Sequence, residues 1–186
     1  MDINELQEAW KLASEKHNGQ KYGGPKMNQE IEYLEHIRSV LFEVQNALNN
    51  DTSINERKAI LGAIFHDLLE DTDCEKEYIK SVYGEEILEI VESLTKNEEL
   101  NSKVEMMKDS LSRIKHTCKE ASIVKMADRI SKLYSPPYYW EKDRMKEYLI
   151  EAKMIHKYLS PASEYLGNRL SMKIKEYETK YLYETK

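Results

Sequence analysis

The stretch that most constrains the chain runs from Ala59 to Asp71, A-I-L-G-A-I-F-H-D-L-L-E-D. Its first half carries apolar residues at helical spacing, and its second half replaces them with ionisable ones. One ridge reads Ala59, Ala63, His66, Glu70; the other reads Ile60, Ile64, Asp67, Asp71. A carboxylate in an apolar setting costs several kcal/mol unless it is paired or bound to a cation, on the order of the penalty for any buried ion. Either the helix end emerges into solvent, or these groups line a polar pocket beneath the core. The second reading, with a divalent metal in the pocket, is the expectation here.

The rest of the chain reads as helices. Hydrophobic residues make up 40% and charged residues 33% of 186, the balance of amphipathic helices with solvated outer faces. Six Gly and four Pro are too few for a turn-rich β fold. Helices are expected near 4–17, 28–48, 53–71, 75–82, 85–95, 102–115, 121–133, 141–159 and 161–181, with no strand. Asp2 or Asn4, Ser53, and Thr72 or Asp73 are the expected caps for the first, third and fourth. The expected architecture is an all-α, compact single-domain bundle over 1–186. Its metal-site core spans about 1–140, and C-terminal helices of about 141–182 pack on it. The segment 20–28, with Gly23, Gly24 and Pro25, is expected to be a loop. Its lysines either face solvent or grip a phosphate.

Charge and cysteines exclude several functions. A net charge of −6 disfavours non-specific nucleic-acid binding but leaves room for a small basic pocket. Cys74 and Cys118 match no Cys-x-x-Cys pattern, so no disulfide framework is expected. No apolar run approaches a membrane span, and the acidic first ten residues do not suit a signal peptide. The expectation is a cytoplasmic protein.

Four residues on three expected helices supply a metal site: His36, His66, Asp67 and Asp128. Two imidazoles and two carboxylates suit a borderline divalent ion such as Mn²⁺, Fe²⁺ or Zn²⁺. They leave coordination positions open for water or substrate, as in catalytic rather than structural sites.

The motifs around these residues resemble the HD superfamily of metal-dependent phosphohydrolases, whose pattern is H…HD…D. The match is to the hydrolase domain of RelA/SpoT proteins and their small stand-alone relatives. It rests on A-x-x-x-A-x-x-x-H-x-G-Q (Ala9 to Gln20), E-H (Glu35-His36) and A-I-F-H-D-L-L-E-D-T (Ala63 to Thr72). Y-G-E-E-I (Tyr83 to Ile87), L-T-K (Leu94 to Lys96) and V-K-M-A-D-R-I (Val124 to Ile130) continue it. The resemblance implies an all-α fold and a Mn²⁺ ion on His36, His66, Asp67 and Asp128. It implies removal of the 3′-pyrophosphate from the alarmones ppGpp and pppGpp, with Glu70 and Asp71 positioning or deprotonating the water. Lys21, Lys125 and Arg129 match basic positions of the family and are the expected substrate contacts, together with Lys132; Lys125 and Arg129 either serve there or pair with a carboxylate for structure.

Two departures stand out. The loop before His36 is longer than the family's G-x-P-Y-x-x-H-P and lacks Pro after the histidine. Lys132 stands where the family has Asn. Lys132 lies one turn beyond Asp128, so it either reaches a phosphate or is an exposed lysine. The alternatives are a hydrolase of another nucleotide, such as a deoxynucleoside monophosphate or a dinucleotide phosphate, and a nucleotide-sensing module without turnover.

Overall fold

The computed structural model describes residues 1–183. The chain is helical almost throughout: α1 (Ile3–Lys16), α2 (Tyr33–Asn50), α3 (Glu56–Phe65), α4 (Leu68–Asp71), α5 (Lys76–Tyr83) and α6 (Glu85–Leu94). Then come α7 (Lys103–Thr117), α8 (Lys119–Lys132), α9 (Lys142–Leu159) and α10 (Glu164–Glu178). A 3₁₀ turn at Ser160–Ala162 joins the last two.

Helix α8 is the axis of the bundle, packing against α2, α3, α6, α7, α9 and α10. Every residue from Glu120 to Ile130 except Lys125 is buried. Helix α3 is buried on every side from Ala59 to Phe65, which explains why its sequence is apolar around the whole circumference. Ala59 and Ala63 face a cluster built with α2, α8, α9 and α10, while Ile60, Leu61, Ile64 and Phe65 face a second one with α1, α5 and α6. Each large side chain sealed in this way contributes about 1.5–3 kcal/mol of burial. Gly62 lets the three helices close on one another: a Cβ there would sit 3.1 Å from Ile90 Cγ2 and 3.2 Å from Val124 Cγ2. The wall that leads into His66 and Asp67 is therefore held from both sides.

Side-chain caps mark several helix starts. The Asp2 side chain accepts from the Asn4 amide, Ser102 from Glu105, and Ser163 from Leu166. Helix α8 ends at Lys132, ahead of Pro136-Pro137. Other expectations are corrected. Asn55, not Ser53, caps α3, accepting from the Lys58 amide. Ser53 is instead drawn to Asp51 and Lys119. Glu75 stands at the start of α5, where Thr72 or Asp73 was expected. Thr72 Oγ1 instead donates to the Leu68 carbonyl and accepts from the Cys74 amide.

The segment expected as a loop is a short antiparallel hairpin, Lys21–Gly23 with Glu30–Glu32. Tyr22 lies opposite Ile31. Its turn places Asn28 at φ 57°, so α2 starts at Tyr33 rather than near 28. Three-residue strands with one half-buried position each carry too little alternation to be read from sequence. The hairpin is pinned from outside: the Tyr138 amide donates to the Gly24 carbonyl at 2.9 Å. Gly23 lies against the Tyr139 ring, where any Cβ would clash. Among the described residues, no helix is long and apolar enough to cross a membrane, and Cys74 and Cys118 are both free.

Candidate metal and nucleotide site

The ridge that opened the sequence reading does not stay one helix. Helix α3 ends at Phe65, His66 occupies its last cap position, and Asp67 leaves helical geometry at φ −107°, ψ 4°. A single further turn, α4, follows. The break turns His66 and Asp67 toward the same point: His66 Nε2 and Asp67 Oδ2 are 3.0 Å apart. Helix α2 brings His36, whose Nε2 lies 3.1 Å from His66 Nε2 and 3.6 Å from Asp67 Oδ2. Helix α8 brings Asp128, with Oδ1 3.3 Å from His36 Nε2. All four expected ligands therefore converge, and His36, His66 and Asp67 each offer a ligand atom within 4.8 Å of the others.

The remaining partners decide which face of each imidazole is available. His66 Nδ1 faces the Ala63 carbonyl at 2.8 Å, so it carries the proton and leaves a lone pair on Nε2. His36 Nδ1 lies 2.9 Å from Ser131 Oγ, whose own proton goes to the Asp128 carbonyl at 3.0 Å. Ser131 thus accepts from His36, and His36 Nε2 also points a lone pair inward. With both rings neutral, two imidazole lone pairs and two carboxylates meet at one point. Asp128 Oδ1 is buried, and two nitrogens approach it, Lys132 Nζ at 2.8 Å and His36 Nε2 at 3.3 Å. That donor set fits a divalent cation.

Neighbouring charges hold both carboxylates of the site ionised. Burial alone would raise Asp67, but the adjoining His66 and Lys132 hold it well below the usual carboxylate range. Burial opposes Asp128 in the same way, and Lys132 and Lys125 hold it low. His66 is disfavoured as a cation by burial, yet the charge of Asp67 outweighs this and raises it. Lys132 Nζ stands 2.8 Å from Asp128 Oδ1 and 3.7 Å from Asp67 Oδ2, and Lys125 Nζ stands 3.2 Å from Asp128 Oδ2.

Glu70 and Asp71 lie one turn beyond the histidine and the aspartate, held by different neighbours. Glu70 accepts from the Lys96 amide at 3.1 Å and pairs with its ammonium. Asp71 accepts from the Tyr33 hydroxyl at 2.8 Å. Burial, then the charge of Asp67, raises the Asp71 carboxyl above its ordinary value.

Two cavities adjoin the site and share Tyr33, Lys132, Arg144 and Tyr148 in their walls. One, of about 500 Å³, is aromatic, with Tyr22, Phe42, Tyr139 and Trp140. The other, of about 420 Å³, is charged: Glu70, Asp71, Lys96, Lys103 and Lys125 face it. Lys125 and Lys132 are thus placed at the site. Arg129 borders the charged cavity, but its guanidinium is already engaged, stacked 3.9 Å from the Tyr148 ring centroid and paired with Glu151 at 3.1 Å. Lys21 lies outside both cavities. It pairs with Glu30 at 3.4 Å and Glu32 at 3.7 Å across the hairpin, because strand pairing sets those carboxylates beside it.

Three residues of the site escaped the sequence reading. Tyr33 stands three positions before His36, a spacing that places both on one helix face. Ser131 stands three positions after Asp128 in the same way. Lys96 lies in the L-T-K segment, which carried no assigned chemistry. The aromatic wall at 138–140 gave no periodic signal.

Known proteins share much of this sequence and fold. The chain is 28% identical over 169 residues to guanosine-3′,5′-bis(diphosphate) 3′-pyrophosphohydrolase MESH1 of Danio rerio, covering 89% of each. It is 26% identical to the protein of that name from Homo sapiens, covering 92% of this chain and 94% of the relative. A solved structure described as a metazoan ortholog of SpoT that hydrolyzes ppGpp superposes with a TM-score of 0.79 at 22% identity. That superposition spans 95% of this chain and 97% of the other. The HD domain family matches residues 33–133, from Tyr33 to the residue after Lys132, which is more than half of the chain and contains every converging ligand. The chain belongs to the HD domain family.

Proposed function

We propose that this chain is a metal-dependent phosphohydrolase that removes the 3′-pyrophosphate from guanosine tetra- or pentaphosphate. The observation that carries it is the convergence of two imidazole lone pairs and two carboxylates between an aromatic cavity and a charged one. The names of the MESH1 relatives support the substrate.

His36, His66, Asp67 and Asp128 would hold the ion, Mn²⁺ or a similar one such as Fe²⁺ or Zn²⁺. When bound, such an ion lowers the pKa of water and polarises a phosphoryl oxygen. The chain supplies the rest. Glu70 and Asp71 face the charged cavity and accept the proton of the attacking water. The new bond joins the water oxygen to the phosphorus attached at O3′, the P–O3′ bond breaks, and pyrophosphate leaves. The proton taken by the carboxylate then returns to the 3′ oxygen. Lys125 and Lys132 offset charge on the phosphoryl oxygens. The aromatic cavity offers faces on which a purine ring stacks. Two free cysteines support a reducing, cytoplasmic setting.

Lys132 favours a second reading. An ammonium where the resembling family has Asn alters the phosphate-binding end of the site and suits a differently phosphorylated nucleotide. One assay decides: purified chain with Mn²⁺ is offered ppGpp, deoxynucleoside monophosphates and dinucleotide phosphates. Pyrophosphate release from ppGpp, abolished by chelation, is the expected result. Orthophosphate from another nucleotide would select the second reading, and no turnover across the panel by metal-loaded chain would leave a nucleotide-sensing module.

A further inference from the structure

Tyr33 stands between the two layers of the site. Its hydroxyl oxygen is 2.5 Å from Asp67 Oδ2 and 2.8 Å from Asp71 Oδ2. One carboxylate belongs to the ligand set and the other to the water-handling pair. A phenol has a single proton, so this one is shared between two acceptors on different residues. The ring is fixed from both sides. His17 stacks on it at 5.0 Å and 23°, and His36 meets it edge-on at 5.6 Å.

Asp71 needs such a hold. It is the last residue of the four-residue turn α4, too short to set a side chain by itself. Its own backbone is gripped from the same corner. Gln20 Nε2 donates to the Asp71 carbonyl at 2.6 Å, while Gln20 Oε1 accepts from His17 Nδ1 at 2.7 Å. His17 itself is buried. The corner after α1 therefore reaches Asp71 at two points, through the Tyr33 hydroxyl at the carboxylate and through Gln20 at the carbonyl.

We propose that Tyr33 is a positioning residue that locks Asp67 in its ligand orientation and Asp71 beside it, and that Gln20 completes the hold on Asp71. This rests on the hydrolase reading for its kinetic half and on the metal fit alone for the other half.

The test separates the two. Tyr33→Phe keeps the ring stack and removes only the hydroxyl. Its Mn²⁺ affinity, measured by titration calorimetry without substrate, should weaken about tenfold, the usual effect of losing a group that orients a metal ligand. Its kcat should fall by about 10–100-fold with KM within about threefold. Gln20→Ala removes the bonds to the Asp71 carbonyl and to His17 Nδ1 and leaves the Tyr33 hydroxyl in place. It should lower kcat at constant KM and leave Mn²⁺ affinity within about twofold, since no ligand residue loses a partner. Mn²⁺ affinity and kcat unchanged in Tyr33→Phe, with only KM raised, would make Tyr33 a wall of the substrate cavity and overturn the inference. Should Tyr33→Phe fail to fold, an unchanged kcat in Gln20→Ala overturns the two-point hold and a selective drop supports it. If the wild-type chain hydrolyses none of the nucleotides, the function falls, and the calorimetry still decides the role of Tyr33 at the metal.

Discussion

Lys132 offers the sharpest test of the site's electrostatics. Replacing it with Met keeps most of the stem and removes the charge. At an effective dielectric of about 20, a unit pair 2.8 Å apart is worth about 6 kcal/mol, and one 3.7 Å apart about 4–5 kcal/mol, before desolvation. The Lys132 side chain is 38% exposed, so solvent screening and desolvation remove most of this, and Lys125 still faces Asp128. A net loss of about 2–3 kcal/mol is expected in metal-free protein. For a chain of this length that is a fall in Tm of about 5–10 °C. A bound divalent ion supplies the missing positive charge, so in saturating Mn²⁺ the two Tm values should draw within about 2 °C of each other. Removing a neighbouring like charge should also tighten Mn²⁺ binding by about tenfold or more, roughly 1.4 kcal/mol. Differential scanning calorimetry with and without Mn²⁺, plus a Mn²⁺ titration, reads both. The same Tm loss in both conditions, with affinity unchanged, would refute the idea that Lys132 and the ion serve the same two carboxylates.

Three further outcomes follow from the structure. Glu70→Gln should retain Mn²⁺ affinity, because Glu70 is tied to Lys96 rather than to a ligand residue, and lose about 10²–10⁴-fold in kcat if it takes the water's proton; an unchanged rate would leave that task to Asp71 alone. Arg169→Ala should cost about 3 kcal/mol, near 6–12 °C in Tm, because among the described residues buried Glu43 then keeps only Tyr134 as a partner. Thermal denaturation of Glu43→Gln/Arg169→Met, which removes both charges, should recover most of it. Asp51, hydrogen-bonded by Lys119 and Ser53, has its pKa lowered from 3.8 to about 2. Its contribution is therefore full above 3.8 and lost as pH falls toward about 2. The Tm gap between wild type and Asp51→Asn should close over that interval, and a gap independent of pH would contradict it.

What the sequence alone determined is the run of long helices and the choice of candidate ligands. Helical periods around Ile37, Val40, Val44, Ile123, Ala127 and Ile130 are long and strongly patterned, and all six positions are buried as expected. His36, His66, Asp67 and Asp128 were legible because ionisable groups interrupt those apolar faces, and burial without compensation is too costly to be accidental. Only the tertiary structure decided how they are used. The break after Phe65 falls at His66-Asp67, with no Gly or Pro between Ala63 and Thr72, so no local signal announces it. The hairpin at 21–32 is held by Tyr138 and Tyr139, more than a hundred residues away, so its strands carry no pattern of their own. Lys21 and Lys132 looked alike as lysines near motifs. One is spent on hairpin carboxylates and the other stands over the ligand carboxylates. A lysine's role depends on which anion the fold places within a few ångströms, and that distance is set by contacts far apart in the chain.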